Sequence, residues 1–281
     1  MSDNSYGKLS IVGTPIGNLG DLSPRGVEAL RNADYIAAED TRVTLGLLTK
    51  FEIKKPLISC YKPKEQEKSE RIIELLLEGN NIALVSDAGM PCISDPGAVS
   101  VKKCVERGIP IEVIPGCNAA VAAVAVSGLN AERWVFEGFL PVPKKERIER
   151  LDAVKKLPHA LVFYEAPHKI KQTLADLREV LGAERQAALC RELTKLHEEV
   201  IRGTLGELEH YYDELEPRGE YVIVTEGAER TQNEFTVEQA VGLAKQLVEG
   251  GAKLSDACRE AAKATGYPKR DIYAALSENK Q

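Results

Sequence analysis

The stretch Ile82-Ala83-Leu84-Val85-Ser86-Asp87-Ala88-Gly89-Met90-Pro91-Cys92-Ile93-Ser94-Asp95-Pro96-Gly97 decides the fold. Its first four residues are a short apolar run, the pattern of a strand buried on both faces of a sheet. The rest holds Asp87, Asp95, Gly89, Gly97, Pro91 and Pro96, so the strand ends abruptly in two turns. Carboxylates and bare backbone groups at the carboxyl end of a strand lie where open α/β sheets take small molecules. Two plain connecting turns are the alternative; a segment this long and this rich in Asp, Gly and Pro favours a binding loop.

On either side, apolar runs alternate with segments of helical period, which predicts α/β architecture. Strands are expected near Leu9–Val12, Tyr35–Ala38, Leu57–Ser59, Ile82–Val85 and Ile111–Ile114, with helices between them. A second unit begins near Arg133, with strands at Trp134–Gly138, Ala160–Tyr164, Gln186–Cys190, Glu199–Arg202 and Tyr221–Thr225. Two of these strands follow one another without a helix, which predicts an antiparallel hairpin and a mixed sheet. After Gly227 a polar linker leads to three helical segments, the last two separated by Thr265-Gly266-Tyr267 in a helix-turn-helix pattern. The expected organisation is an N-terminal α/β domain over 1–130, a second α/β domain over 131–228 and a helical appendage over 236–281, with a binding cleft between the first two.

Composition narrows the class. Hydrophobic residues make up 43% and charged residues 28% of the 281, as in ordinary globular proteins. No apolar segment approaches the roughly 20 residues that span a bilayer, and the first residues lack an export pattern, so a cytoplasmic protein with no membrane association is expected. Six cysteines without a Cys-x-x-Cys pair and only four histidines suggest neither a disulfide framework nor a metal site. The net charge of −6 opposes a polyanion partner unless basic residues are segregated. They are densest at Lys144, Lys145, Arg147, Arg150, Lys155 and Lys156, with Lys62 and Lys64 in an earlier loop. Lys62, Lys64, Lys144, Lys145 and Arg147 are therefore the candidate nucleic-acid contacts, a solvated helix face being the alternative. The tail 236–281 carries seven Lys and Arg against six Asp and Glu, so it is barely basic.

Gly13-Thr14-Pro15-Ile16-Gly17 follows the first strand and lets backbone approach a ligand, but it is neither the dinucleotide fingerprint nor a P-loop. Further segments complete a set: Ala38-Glu39-Asp40-Thr41-Arg42, Pro115-Gly116-Cys117-Asn118-Ala119-Ala120, Phe136 to Pro141, Phe163-Tyr164-Glu165-Ala166-Pro167-His168, Arg191 to Lys195 and Gly219 to Val224. With them, in this order, the chain resembles the tetrapyrrole-methylase superfamily, and in particular its members that methylate a cytidine 2′-hydroxyl of 16S ribosomal RNA. The resemblance implies two α/β domains of tetrapyrrole-methylase type around an S-adenosylmethionine cleft, a homodimer, and a substrate met within the small ribosomal subunit.

Carried over by motif position, the resemblance implies cofactor contacts at Pro15, Asp87, Ala88, Met90, Asn118, Ala119, Tyr164, Glu165, Leu193 and Thr194. Core packing at Met90 and Ala119 and an Asx turn at Asp87 are the bland alternatives. Methyl transfer to a hydroxyl needs positioning and a proton acceptor. The candidates are Glu39, Asp40 with Arg42, and Glu165, beside His168, Glu192 and His197, an internal Asp40–Arg42 ion pair that fixes a helix start being the alternative. Many superfamily members carry histidines after the third strand, where this chain reads Ser59-Cys60-Tyr61-Lys62-Pro63-Lys64. Two other readings stay open: the same cofactor with a tetrapyrrole or protein side chain as acceptor, and a non-catalytic ribosome-binding module.

Overall fold

The structure, a computed structural model, describes residues 6–61, 65–213, 215–228 and 236–278. The first sheet contains β1 (Leu9–Val12), β2 (Tyr35–Ala38), β3 (Leu57–Ser59), β4 (Ile82–Val85) and β5 (Ile111–Ile114), in the order β3-β2-β4-β1-β5. All its pairings are parallel. Its inner strands β1, β2 and β4 bury both faces. Leu9, Ile11, Ala37 and Leu84 pack with Ile72 and Leu76 of α3 (Glu65–Leu77), while Val12, Ile36, Ala38 and Val85 pack with Leu30 of α1 (Pro24–Asn32) and Leu48 of α2 (Thr41–Lys50). That two-sided burial is why the strands read as unbroken apolar runs. Helix α4 (Ala98–Arg107) follows the turns that end β4.

The second sheet orders β6 (Trp134–Phe139), β7 (Ala160–Glu165), β8 (Gln186–Arg191), β9 (Glu199–Thr204) and β10 (Tyr221–Thr225) as β6-β7-β10-β8-β9. Only β6 and β7 pair in parallel; β8 and β9 form the expected hairpin, from Gln186 opposite Thr204 to Arg191 opposite Glu199. One face packs on α6 (Lys144–Val154), α7 (Ile170–Leu181) and α8 (Leu205–Tyr211) through Leu151, Leu174, Leu177 and Leu208. The other face is covered by α5 (Ala119–Ser127), which sits earlier in the chain, after β5. Its sequence, Ala-Ala-Val-Ala-Ala-Val-Ala-Val-Ser, has no polar face, and Ala120 and Ala123 let it lie close on Val162, Cys190 and Val222. This packing ties the two sheets together along one side of a cleft.

The chain divides into two compact units, Met1–Ala228 and Glu229–Gln281. The second contains α9 (Val237–Glu249), α10 (Leu254–Thr265) and α11 (Lys269–Glu278) around a core of Ala240, Ala244, Cys258, Ala261 and Ile272. Helix α9 starts in a capping box between Thr236 and Gln239. No helix among the described residues is long and apolar enough to cross a membrane.

Candidate active site

Three strand ends of the first sheet are brought together by short-range backbone bonding. Thr14 and Gly89 form an isolated antiparallel bridge, with Thr14 N–H donating to Gly89 O at 2.9 Å and the reverse bond at 3.2 Å. The Thr14 hydroxyl also donates to Ser86 O at 3.2 Å. The loops after β1 and β4 are thus held side by side. Asp87 Oδ1 accepts the Asp40 N–H at 3.0 Å, joining the loop after β2 to the same cluster. The second sheet reaches this cluster through two bonds: Asn18 N–H donates to Thr194 Oγ1 at 3.2 Å, and Ala120 N–H donates to the Tyr164 hydroxyl at 3.2 Å.

Between these loops lies a cavity of about 430 Å³. One wall is formed by Ile16, Glu39, Asp87, Ala88, Gly89, Met90, Ile93, Ser94 and Asp95, with Asn118 and Ala119 at the start of α5. The facing wall is formed by Phe139, Tyr164, Glu165, Ala166, Pro167, Cys190, Glu192, Leu193, Lys195, Glu220, Tyr221 and Val222. Six carboxylates therefore face one ammonium, and the Lys195 ammonium is bound to Glu192 at 2.8 Å and Glu220 at 2.9 Å. The cavity is negative, with an apolar floor of Ala119, Leu193 and Val222.

Most residues singled out for a cofactor converge here. Asp87, Ala88, Met90, Asn118, Ala119, Tyr164, Glu165 and Leu193 all line the cavity. Two do not. Pro15 is buried behind the loop, and its neighbour Ile16 takes the lining position. Thr194 bonds Asn18 and Glu198 instead, between lining neighbours Leu193 and Lys195. The Asn118 side chain accepts the Val121 N–H at 3.0 Å and caps α5. Burial pushes the Asp87 carboxyl above its ordinary value, against the opposing Asp40 N–H bond.

The proton-acceptor candidates separate sharply. Glu39 lines the cavity. Asp40 and Arg42 do not; they form a forked pair, Arg42 Nη2 to Asp40 Oδ2 at 2.6 Å and Nε to Oδ1 at 3.0 Å, and Asp40 caps α2 through the Arg42 N–H. The hydrogen bonds from Arg42 pull the Asp40 carboxyl down to about 2. The pair lies outside the lining and fixes the start of α2, so its geometry supports the ion-pair reading over a proton acceptor. Glu165 lines the cavity but is 4% exposed, with Oε1 accepting the Ala166 N–H at 2.8 Å and Oε2 the Thr173 hydroxyl at 2.6 Å. Each of its oxygens accepts a hydrogen bond at the end of β7, which fixes the carboxylate in the wall. His168 and His197 are exposed and outside the lining.

One of the basic candidates, Arg147, is corrected as well. Arg147 is 8% exposed, pairs with the buried Asp176 at 2.5 Å and donates to the carbonyls of Pro141 and Val142. It is a core cross-link, unavailable to a phosphate. Lys144 and Lys145 are exposed, within reach of Asp176 and Glu179 and of Glu149 respectively. Lys62 and Lys64 lie outside the described residues. Among those described, no group of three or more His, Cys, Asp or Glu could hold a metal ion.

Several site residues were not singled out in the sequence: Ile16, Ile93, Asp95, Phe139, Lys195 and Glu220. Ile93 and Asp95 stand inside the deciding stretch, and Phe139 inside Phe136 to Pro141. Lys195 and Glu220 stand inside Arg191 to Lys195 and Gly219 to Val224, but that they meet follows only once β8 and β10 are known to be neighbours.

Residues 8–209 match the tetrapyrrole (corrin/porphyrin) methylases, and residues 237–280 match the RsmI C-terminal HTH domain. The ribosomal RNA small subunit methyltransferase I of Halalkalibacterium halodurans is 43% identical over 271 residues, covering 95% of this chain and 93% of that protein. The protein of the same name from Thermotoga maritima is 45% identical over 223 residues, which are 79% of this chain and 100% of the relative. A uroporphyrin-III C-methyl transferase from Thermus thermophilus, solved with S-adenyl homocysteine, shares the fold at a TM-score of 0.56 and 18% identity, over 78% of this chain and 97% of that one. The chain therefore belongs to the tetrapyrrole methylases, in the family of ribosomal RNA small subunit methyltransferase I.

Proposed function

We propose that this chain transfers the methyl group of S-adenosylmethionine to a cytidine ribose 2′-hydroxyl of 16S ribosomal RNA, met within the small ribosomal subunit. The observation that carries this reading is the near full-length identity to proteins named for that RNA, joined to a carboxylate-lined cavity of small-molecule size.

The donor set fits the cofactor. S-adenosylmethionine has a cationic sulfur and an ammonium group, and it supplies an electrophilic methyl. A cavity with six carboxylates and one ion-paired lysine attracts that charge. Asp87, its carboxyl desolvated and its backbone neighbours bridged, offers a fixed anion to a cationic or hydroxyl group. Met90, Ala119, Leu193 and Val222 provide the apolar surface that excludes water. Glu39 is the carboxylate we assign to take the hydroxyl proton as the new bond forms, a role in which positioning matters more than basicity.

A homodimer belongs to the same reading. The edge strand β5 leaves Ile111 and Val113 exposed, apolar surface that a second copy would cover. Sedimentation of the purified protein tests it.

The function is tested by incubating the protein with labelled S-adenosylmethionine and 30S particles from a strain lacking the modification, then mapping alkali-resistant linkages in the 16S RNA. One new cytidine 2′-O-methyl group is expected. Label in no RNA, or on a base carbon, would overturn the reading.

A further inference from the structure

Along β6 the side chains alternate: Trp134 and Phe136 pack with Tyr164 and α5, and Val135 packs on the opposite, helix-covered face. Uninterrupted, the alternation would send Phe139 after Val135 into the second core. It does not. The register with β7 runs Phe136 opposite Val162, then Gly138 opposite Phe163 and Phe139 opposite Tyr164, so Glu137 is an extra residue in a bulge. Gly138 takes φ 65°, the left-handed conformation that a residue with a side chain disfavours. The bulge turns Phe139 onto the cleft face and returns Leu140 to the core, where it is 6% exposed.

Phe139 is left 60% exposed on the cavity wall, its ring edge-on to Tyr164 with centroids 5.5 Å apart. Tyr164 is held in turn by Phe136 at 4.9 Å and by the Ala120 N–H. From the facing loop Ile93, 55% exposed, lines the same cavity. The Ser94 hydroxyl of that loop comes within 3.8 Å of where a Gly138 Cβ would stand, so the loop tip and the bulge meet across the cleft. The bulge exchanges Phe139 for Leu140 in the core, and the larger ring is the one placed on the cavity wall, where it can meet a ligand.

We propose that Phe139 is the platform on which the acceptor nucleotide's base stacks after leaving its RNA stack, with Ile93 as the apolar contact on the other side. This rests on the function proposed above. Phosphates are repelled by the cavity's carboxylates, so the part of the RNA that enters is base and ribose, and a nucleobase offers a flat face to an aromatic ring. The platform binds substrate and takes no part in the proton transfer.

The test compares wild type, Phe139→Ala and Phe139→Trp in steady-state methylation of 30S particles and in calorimetric titration with S-adenosylmethionine. The alanine variant is expected to raise KM for the particle or lower kcat/KM by roughly 5- to 150-fold, the range for losing one stacked base. Tryptophan restores it, and the cofactor affinity of both variants stays within twofold of wild type. Unchanged methylation kinetics in Phe139→Ala overturn the platform while leaving the function intact. A matching loss of cofactor affinity also overturns it, by assigning the ring to the cofactor. Absence of methylation by the wild type overturns the function itself, and the platform with it.

Discussion

The Glu65 carboxylate accepts the Gly97 backbone N–H at 2.7 Å, and the same oxygen accepts the Val99 N–H at 3.1 Å. The first residue of α3 thereby caps α4 from across the chain. Gly97 is the N-cap of α4 and has no side chain to do this itself; its φ of 127° and the proximity of Leu84 and Cys92 to a would-be Cβ exclude a self-capping Ser or Asp. The loop anchored this way supplies Asp87 to Asp95 of the cavity wall.

Replacing Glu65 should therefore weaken both fold and cofactor binding. Glu65→Ala leaves two partly buried N–H groups without their acceptor and is expected to cost about 1–2 kcal/mol in urea denaturation. Glu65→Gln keeps the accepting oxygen and should recover most of that loss. Cofactor affinity should fall several-fold in the alanine variant and return in the glutamine one. Equal affinity in all three proteins would show that the loop holds its form without the cap.

Asp87 sets function against stability. Its folded carboxyl is raised, chiefly by burial, so the folded state binds more protons than the unfolded chain between the ordinary value of 3.8 and the raised one. Stability from this group falls as pH rises through that window and remains lower at neutral pH. Asp87→Asn removes the charge and still offers Oδ1 to the Asp40 N–H. The variant should melt at or above the wild-type temperature at pH 7 and lose the advantage below pH about 4, while S-adenosylmethionine affinity drops about 10- to 100-fold, the range for a charged hydrogen bond. Scanning calorimetry at two pH values and titration calorimetry check both halves.

On α6, neighbouring basic residues should behave in opposite ways. Arg147→Ala removes the nearest charged partner of buried Asp176, leaving it Gln172 and the more distant Lys144, and is expected to cost about 3 kcal/mol. Lys145→Glu alters a side chain that is 88% exposed and should change stability by no more than about 0.5 kcal/mol. If this helix meets RNA, the Lys145→Glu change lowers the log–log salt slope of binding by about one. Nitrocellulose retention of labelled 16S RNA at several salt concentrations measures it.

The fold was legible because its dominant signals are local. Unbroken apolar runs such as Ile82–Val85 mark strands covered on both faces, and the missing helix between β8 and β9 announces the hairpin. The loops at the strand ends were legible for the same reason: Asp, Gly and Pro cluster at one place in the chain. What escaped depends on distant partners or on a single inserted residue. Arg147 looks like its basic neighbours until Asp176, on another helix, is placed beneath it. Phe139 was hidden by the period-2 rule, since only Gly138 within an otherwise regular strand betrays the bulge.

The C-terminal helices should be separable from the chemistry. Helices α9 to α11 bury Ala240, Cys258, Ala261 and Ile272 among themselves, and the Thermotoga maritima relative is matched over its whole length by 79% of this chain. Every residue lining the cavity lies in Met1–Ala228. Truncation after Ala228 is therefore expected to leave the affinity for S-adenosylmethionine within twofold of the full chain. A second unit that touches a large substrate raises the local concentration of the first without altering its chemistry, so methylation should suffer only where particles are scarce. With 30S particles at limiting concentration, the truncated protein should show a reduced kcat/KM but the full kcat at saturation. Equal kcat/KM for the two proteins would mean that the helices take no part in substrate capture, and a lowered cofactor affinity would mean that they support the cavity after all.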